Sequence, residues 1–120
     1  MNPAYQKAVV FCNGDLADLS RVHKHINKKT LLIGCDGGTA HILTLGLTPH
    51  VVIGDFDSIS PKIVRALKGK EVEYFRYPTN KLFTDSDLGV TLAMNRGCKE
   101  IILAGVRGTA TDHFVGNLFM

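Results

Sequence analysis

The stretch Leu31-Leu32-Ile33-Gly34-Cys35-Asp36-Gly37-Gly38 carries the pattern that predicts the fold of this chain. Its first five residues form an apolar run with the length of a buried strand, and Asp36-Gly37-Gly38 closes the run with a turn signal. Three similar runs, over residues 8–12, 51–54 and 101–104, also stop at turn-forming residues. Strands that are apolar throughout, rather than alternating, are typical of a parallel sheet covered on both faces.

Segments with helical spacing lie between these strands. Leu16, Leu19, Val22 and Ile26 recur at helical intervals after Asp15, a residue type that caps helices. The further predicted elements are helices over residues 40–45, 61–67 and from Asp85 or Asp87 to Asn95, a strand over residues 72–75, and a last helix beginning at Asp112. The alternation predicts an α/β fold, a three-layer, Rossmann-like parallel sheet with helices on both faces.

The composition is typical of one globular domain, with 120 residues, 45% hydrophobic and 21% charged. No run approaches the ~20 apolar residues of a membrane span and no secretory signal is evident, so we expect a cytoplasmic protein with no membrane contact. The net charge of +3 is not gathered into a basic, aromatic stripe, so no nucleic-acid partner is expected. Cys12, Cys35 and Cys98 have neither disulfide-framework nor zinc-site spacing, and Cys12 and Cys35, which lie in apolar runs, are interpreted as buried structural thiols.

The aspartates are the main functional signal. In an open parallel sheet, ligands bind beyond the carboxyl ends of the strands. Four predicted strand ends are followed by Asn13-Gly14-Asp15, Asp36-Gly37-Gly38, Asp55-Phe56-Asp57 and residues 105–112. Carboxylates gathered at one edge repel one another unless a cation lies among them, and Mg²⁺ prefers oxygen ligands shared with phosphates. The pattern predicts a Mg²⁺ site at this edge.

These turns also have simpler interpretations. Asp55 and Asp57 are two residues apart, so an extended strand directs both carboxylates to one side, but the pair can instead cap a turn and a helix. Gly37 and Gly38 permit positive φ and a close approach of backbone N–H groups to a phosphate, or they form an ordinary tight turn. Neither a G-x-G-x-x-G nor a Walker lysine motif is present, so a nucleotide would bind by another pattern.

The histidines add one candidate. His113 follows Asp112 at a predicted helix start beyond a glycine loop, which makes it a candidate to face the same edge. His41 and His50 are interpreted as surface residues.

Together these motifs resemble the catalytic domain of the thiamin pyrophosphokinases. The first block is similar to the family's long signature and comprises Asp36-Gly37-Gly38-Thr39-Ala40-His41, Gly46-Leu47-Thr48-Pro49 and Gly54-Asp55-Phe56-Asp57-Ser58-Ile59. Thr84-Asp85, with Gly97 and Gly105 behind it, resembles the second motif, and Asp112-His113 with Asn117-Leu118 resembles the third. The blocks follow the family's order and cover nearly the whole chain.

The resemblance implies that residues 1–120 form a catalytic domain that transfers a pyrophosphoryl group from ATP to the hydroxyethyl group of thiamin and releases AMP. It implies Mg²⁺ as cofactor and a homodimer. In the family a β-sandwich domain follows the catalytic domain. We expect this chain to end before it, and therefore to bind Mg·ATP but to make little or no thiamin pyrophosphate.

The resemblance also assigns residues by position. Asp36, Asp55, Asp57 and Asp85 would bind Mg²⁺ or surround the phosphates, with Asp55, Asp57 and Asp85 as the catalytic residues. The expected ATP contacts are Asn13, Gly14, Asp36, Gly37, Gly38, Ser58, Thr84, Asp112 and His113.

Two positions depart from the family's pattern. Leu82, after Lys81, stands where an aspartate is usual, and Ala110 stands where an arginine is usual. Two alternatives therefore stay open, a non-catalytic module that binds ATP and Mg²⁺, and a pyrophosphokinase for another alcohol such as a hydroxymethylpterin. A receiver-like acidic pocket is disfavoured, because no lysine follows the last strand in the usual way.

Overall fold

The computed structural model describes residues 5–12, 19–54, 61–76, 85–105 and 113–117. Within these ranges, six strands form one sheet in the order β4-β3-β2-β1-β5-β6. Their bounds are β1 Lys7–Phe11, β2 Thr30–Cys35, β3 Val51–Gly54, β4 Glu73–Arg76, β5 Glu100–Ala104 and β6 His113–Asn117. The pairings among the first five strands are all parallel, which confirms the predicted parallel α/β sheet.

The sixth strand corrects the sequence-based prediction of a helix beginning at Asp112. Asp112 lies outside the described residues, but residues 113–117 form β6, which pairs antiparallel with β5. Without β6, the outer side of β5 would present a row of unpaired backbone groups. Phe114 and Val115 are residue types that favour strands, so this pairing agrees with their local preference.

Among the described residues, four α-helices cover the sheet. They are α1 Leu19–His23, α2 Thr39–Thr44, α3 Pro61–Leu67 and α4 Asp85–Asn95. Buried side chains of the first three helices, Val22, Ile42 and Ile63, pack on one face of the sheet. Ala93 of α4 packs on the other face. Helices on both faces confirm the predicted three layers.

The core follows the alternation of each strand. In β1, Ala8 and Val10 face α4, whereas Val9 and Phe11 face α1 and α2, and all four are fully buried. Gly89 lets α4 lie close to the sheet, because a Cβ there would meet Val10 Cγ1 at 2.7 Å and Cys35 Sγ at 3.3 Å. Strands buried on both faces explain why the sequence shows continuous apolar runs.

The topology places the carboxyl ends of the central strands side by side. The chain adds β2, β3 and β4 on one side of β1, and α4 then returns it to β5 on the other side. The backbone N–H of Cys12 donates to the Ala104 carbonyl at 2.7 Å, joining the ends of β1 and β5. Such a reversal of strand order is where open α/β sheets bind ligands. Within the described residues, no helix is long and apolar enough to cross a membrane.

Candidate active site at the carboxyl edge of the sheet

Asp36 follows β2 and has an unusual backbone conformation. Its φ is +49°, in the left-handed region, and its surface is 8% exposed. Aspartate enters this region more readily than most residues, and such conformations are concentrated at functional sites. A 3₁₀ turn, Asp36–Gly38, then leads directly into α2. The structure thus holds a carboxylate-bearing residue, largely buried, at the end of a central strand.

The Asp36 carboxylate lies against Gly54, the last residue of β3. A Cβ on Gly54 would collide with Asp36 Oδ1 and would lie 3.1 Å from its Cγ. Asp55 follows Gly54 in the sequence, so the structure brings Asp36 to the strand end that leads into the second acidic motif. Gly54 belongs to the signature block, but the sequence alone predicts no role for it.

The two glycines after Asp36 do not adopt the positive φ that glycine permits. Among the described residues of this turn, only Asp36 has a positive φ, and Gly38 has a helical φ of −62°. Glycine is required at position 38 for a different reason, because a Cβ there would collide with the carbonyls of Phe11 and Cys12. The turn is therefore pressed against the end of β1 and leaves no room for a side chain.

Thr39 completes the packing of this turn. It is fully buried, and its Oγ1 lies so close to Gly34 that a Cβ on that glycine would approach to 2.5 Å. Within the described part of the chain, Thr39 Oγ1 has no hydrogen-bond partner. The Asp-Gly-Gly-Thr sequence marked the turn, but sequence reasoning gave no role to Thr39.

For two further candidates, Asp85 and His113, only the backbone positions are described. Asp85 is the first residue of α4, and His113 is the first residue of β6. His113 pairs with Leu103, one residue before the end of β5, so its backbone is at the carboxyl edge. Both positions are compatible with the expected site, and the roles of the two side chains remain predictions.

The other candidates, Asn13, Gly14, Asp55, Asp57, Ser58, Thr84 and Asp112, lie outside the described residues. The departures from the family pattern at Leu82 and Ala110 also lie outside them. Among the residues that are described, no group of three or more His, Cys, Asp or Glu side chains is placed to hold a metal ion. The full set of Mg²⁺ ligands therefore stays a prediction.

His50 lies away from this edge and is not the surface residue that its sequence context indicated. It immediately precedes β3 and is half-buried. The Leu32 N–H donates to its Nδ1 at 2.9 Å, and the His50 N–H donates to the Leu32 carbonyl at 2.8 Å. Burial lowers the pKa of His50, which favours the neutral ring that this acceptor role requires. His50 is thus a structural link between β2 and β3.

Cys12 and Cys35 are buried, as predicted, and Cys98 is buried as well. Burial raises the pKa of the Cys98 thiol to about 11, although the nearby Arg96 acts in the opposite direction. A thiol with so high a pKa is protonated at neutral pH and is a poor nucleophile. This agrees with a structural role for Cys98.

Comparison with known proteins gives a consistent assignment. Residues 22–120 match the family model for thiamin pyrophosphokinase, catalytic domain. A Bacillus subtilis protein named thiamine pyrophosphokinase is 34% identical over 94 residues, which are 78% of this chain and 44% of the relative.

Solved structures show the same fold. The thiamine pyrophosphokinase structure from Bacillus subtilis aligns with a TM-score of 0.71 and 26% identity over 87% of this chain and 49% of that one. The structure from Geobacillus thermodenitrificans aligns with a TM-score of 0.69 and 22% identity over 86% of this chain and 48% of that one. The chain spans about half the length of these relatives. The family match covers most of the chain and includes the Asp36 turn and the end of β3, so the chain belongs to the thiamin pyrophosphokinase catalytic-domain family.

Proposed function

We propose that this protein transfers a pyrophosphoryl group from ATP to thiamin in a Mg²⁺-dependent reaction that releases AMP. The hydroxyl oxygen of thiamin forms a bond to the β-phosphorus of ATP and loses its proton. The bond from that phosphorus to the oxygen bridging the α-phosphorus breaks, and AMP leaves with the electron pair. Family membership supports this chemistry, and the Bacillus subtilis relative carries the corresponding name.

The observation that carries the proposal is the Asp36 carboxylate held against Gly54. A carboxylate at this place fits a hard cation, because the space that a Cβ would fill at Gly54 receives an oxygen ligand instead. Asp36, Asp55, Asp57 and Asp85 would hold Mg²⁺. When bound, Mg²⁺ would neutralise charge on the phosphate oxygens.

The chain's own contribution to this reaction is positioning. The left-handed Asp36 and the tightly packed Gly38 keep one carboxylate and the turn after β2 in one arrangement before any ligand arrives. We propose that Asn13, Gly14, Gly37, Gly38, Ser58, Thr84, Asp112 and His113 contact the nucleotide around this turn. Preorganised groups of this kind account for much of the rate enhancement in phosphoryl-type transfer.

We also propose that the protein works as a cytoplasmic homodimer, as the family resemblance implies. The exposed strand β4 supports self-association. Its Tyr74 and Phe75 are 50% and 41% exposed, although both are large apolar residues. Exposed apolar side chains on an edge strand often mark an interface.

The product pattern tests the proposed reaction. The chain is incubated with ATP and Mg²⁺, with and without thiamin, and AMP, ADP and thiamin pyrophosphate are quantified by chromatography. We expect AMP and thiamin pyrophosphate in equal, small amounts, only when thiamin and Mg²⁺ are both present. Release of ADP instead of AMP would contradict pyrophosphoryl transfer. Mg²⁺-dependent ATP binding without any product would favour the non-catalytic alternative.

A further inference from the structure

The backbone conformation of Gly54 does not explain why this position is a glycine. Its φ is not in the positive region, so the main-chain conformation at the end of β3 accepts other residues. The three atoms nearest to a Cβ at this position all belong to Asp36, namely Oδ1, Cγ and Cα. What excludes a side chain at position 54 is therefore the Asp36 side chain.

The other described glycines are required for different reasons. Gly46, Gly69 and Gly97 have positive φ with open space where a Cβ would lie, so they serve turns. Gly34 and Gly89 are limited by Thr39 and by Val10 with Cys35, which is ordinary close packing. Of the glycines at positions 34, 38, 46, 54, 69, 89 and 97, only Gly54 is limited by a carboxylate.

The Asp36 backbone and the absence of a side chain at Gly54 together determine where the carboxylate lies. With φ at +49°, the Asp36 Cα lies 3.6 Å from the position of a Gly54 Cβ, an ordinary van der Waals distance. The collision arises only farther along the side chain, at Oδ1. The left-handed turn thus directs the carboxylate toward β3, and the missing side chain at Gly54 provides the space that it occupies.

We propose that Gly54 is a positioning residue of the candidate site, which sets the place of the Asp36 carboxylate beside the strand end that leads into Asp55. The inference rests on the proposed function for its effect on Mg²⁺ and nucleotide, whereas the contact between Gly54 and Asp36 stands apart from any ligand. Alanine at position 54 would leave β3 intact but would displace the carboxylate. Mg²⁺-dependent ATP binding would then weaken by about tenfold or more.

A double-mutant cycle tests the contact without any ligand. Thermal unfolding is measured for the unmodified 120-residue chain, Gly54→Ala, Asp36→Gly and the double variant, all in the absence of Mg²⁺. Gly54→Ala is expected to lower the melting temperature by about 5 °C or more when Asp36 is present. In the Asp36→Gly background the same change is expected to have almost no effect, because only the distant Cα remains. Equal losses in both backgrounds would overturn the inference.

If Gly54→Ala does not fold alone, folding of the double variant decides the question. Recovery of a cooperative transition on adding Asp36→Gly supports the steric conflict with the carboxylate. Failure to recover shows that Gly54 is needed for another reason and overturns the inference.

Calorimetric titration with Mg·ATP tests the functional consequence. Val52→Ala is the matched control, because Val52 is a fully buried residue of the same strand that packs toward Ile63 and Leu67 on α3. Both variants lower stability, but only Gly54→Ala is expected to weaken Mg·ATP binding. Equal weakening by Val52→Ala would show a merely structural effect and overturn the positioning role. If the unmodified chain binds no Mg·ATP, the proposed function fails, while the unfolding cycle still decides the contact.

Discussion

Asp36 combines a charge with a backbone conformation that most residues avoid. Left-handed φ costs about 1–2 kcal/mol for ordinary residues, and asparagine and aspartate are the usual exceptions besides glycine. Asp36 has a φ of +49° and is 8% exposed, so this position requires both a residue that tolerates a left-handed backbone and a carboxylate that is largely buried. The two contributions can be separated by substitution.

Asp36→Asn is expected to preserve the fold and weaken ligand binding. Asparagine has nearly the same shape and tolerates the same φ, so the free energy of unfolding should change by less than about 1 kcal/mol. Loss of the charge should weaken Mg·ATP binding at least tenfold, about 1.4 kcal/mol. Asp36→Ala should weaken binding similarly and also lower the free energy of unfolding by about 1–2 kcal/mol, because alanine does not tolerate the left-handed backbone. Urea unfolding and calorimetry measure the two effects, and unchanged affinity in Asp36→Asn would remove this carboxylate from the site.

At the scale of elements, β2 and β3 are joined by more than their strand pairing. His50 precedes β3, and its ring accepts a hydrogen bond from the Leu32 N–H of β2. The ring also lies 5.2 Å, centroid to centroid, from that of Tyr5. The Glu73 N–H donates to the His50 carbonyl at 3.0 Å, so the start of β4 depends on the same residue. The link lies at the amino ends of the strands, opposite the candidate active site.

This link predicts a loss of stability in acid. Burial lowers the pKa of folded His50, so the unfolded chain, with a histidine pKa of about 6.5, binds the proton more readily. The stabilisation is therefore complete above about pH 6.5 and declines as the pH falls below that value toward the lower folded pKa. His50→Asn keeps an acceptor that does not titrate, so its urea midpoint should fall less than that of the unmodified chain between pH 7.5 and pH 5.

The control for this prediction is His23→Asn, which changes an exposed histidine of α1. A pH dependence that is the same in His50→Asn and in the unmodified chain would contradict the assignment. In that case, protonation of His50 would not oppose folding.

At the scale of the whole molecule, β4 forms one edge of the sheet. In the described part of the chain β4 pairs only with β3, and all four of its residues are exposed. A groove of about 290 Å³ lies beside it and is lined by Phe75 with Ile53, Leu88 and Leu92. An edge strand with exposed aromatic residues and an adjacent apolar groove favours pairing with another copy.

We therefore expect the purified chain to self-associate at micromolar concentration through β4. Light scattering should give a mass above that of one 13.1 kDa chain. Phe75→Lys should shift the population toward the monomer, because a charge at an apolar interface is costly. Val64→Lys, which changes an exposed apolar residue of α3, is the matched control and should leave the mass unchanged. A monomeric unmodified chain would contradict the expected homodimer.

The sequence alone was sufficient to predict the parallel strands and the helices between them, and it predicts a site at their carboxyl ends. Continuous apolar runs predicted four of the five parallel strands, α3 begins at Pro61, and α4 ends at Asn95, two residues before Gly97. These features depend on neighbours along the chain, such as caps, turns and hydrophobic spacing. The parallel arrangement is also the basis for predicting that the aspartates gather at one edge, since the turns after parallel strands leave the sheet on the same side. Of these aspartates, the structure describes the side chain of Asp36, and the gathering of the others stays a prediction.

The tertiary structure decided what local sequence does not contain. The order of the strands depends on pairing between segments far apart in the chain. Residues 113–117 likewise form a strand by pairing with β5. In the folded chain Asp36 has the positive φ, not Gly37 or Gly38, and Gly38 is packed against the Phe11 and Cys12 carbonyls. The role of Gly54 likewise appears only when β2 and β3 lie side by side, because a steric exclusion depends on the neighbour in space and not on the neighbour in sequence.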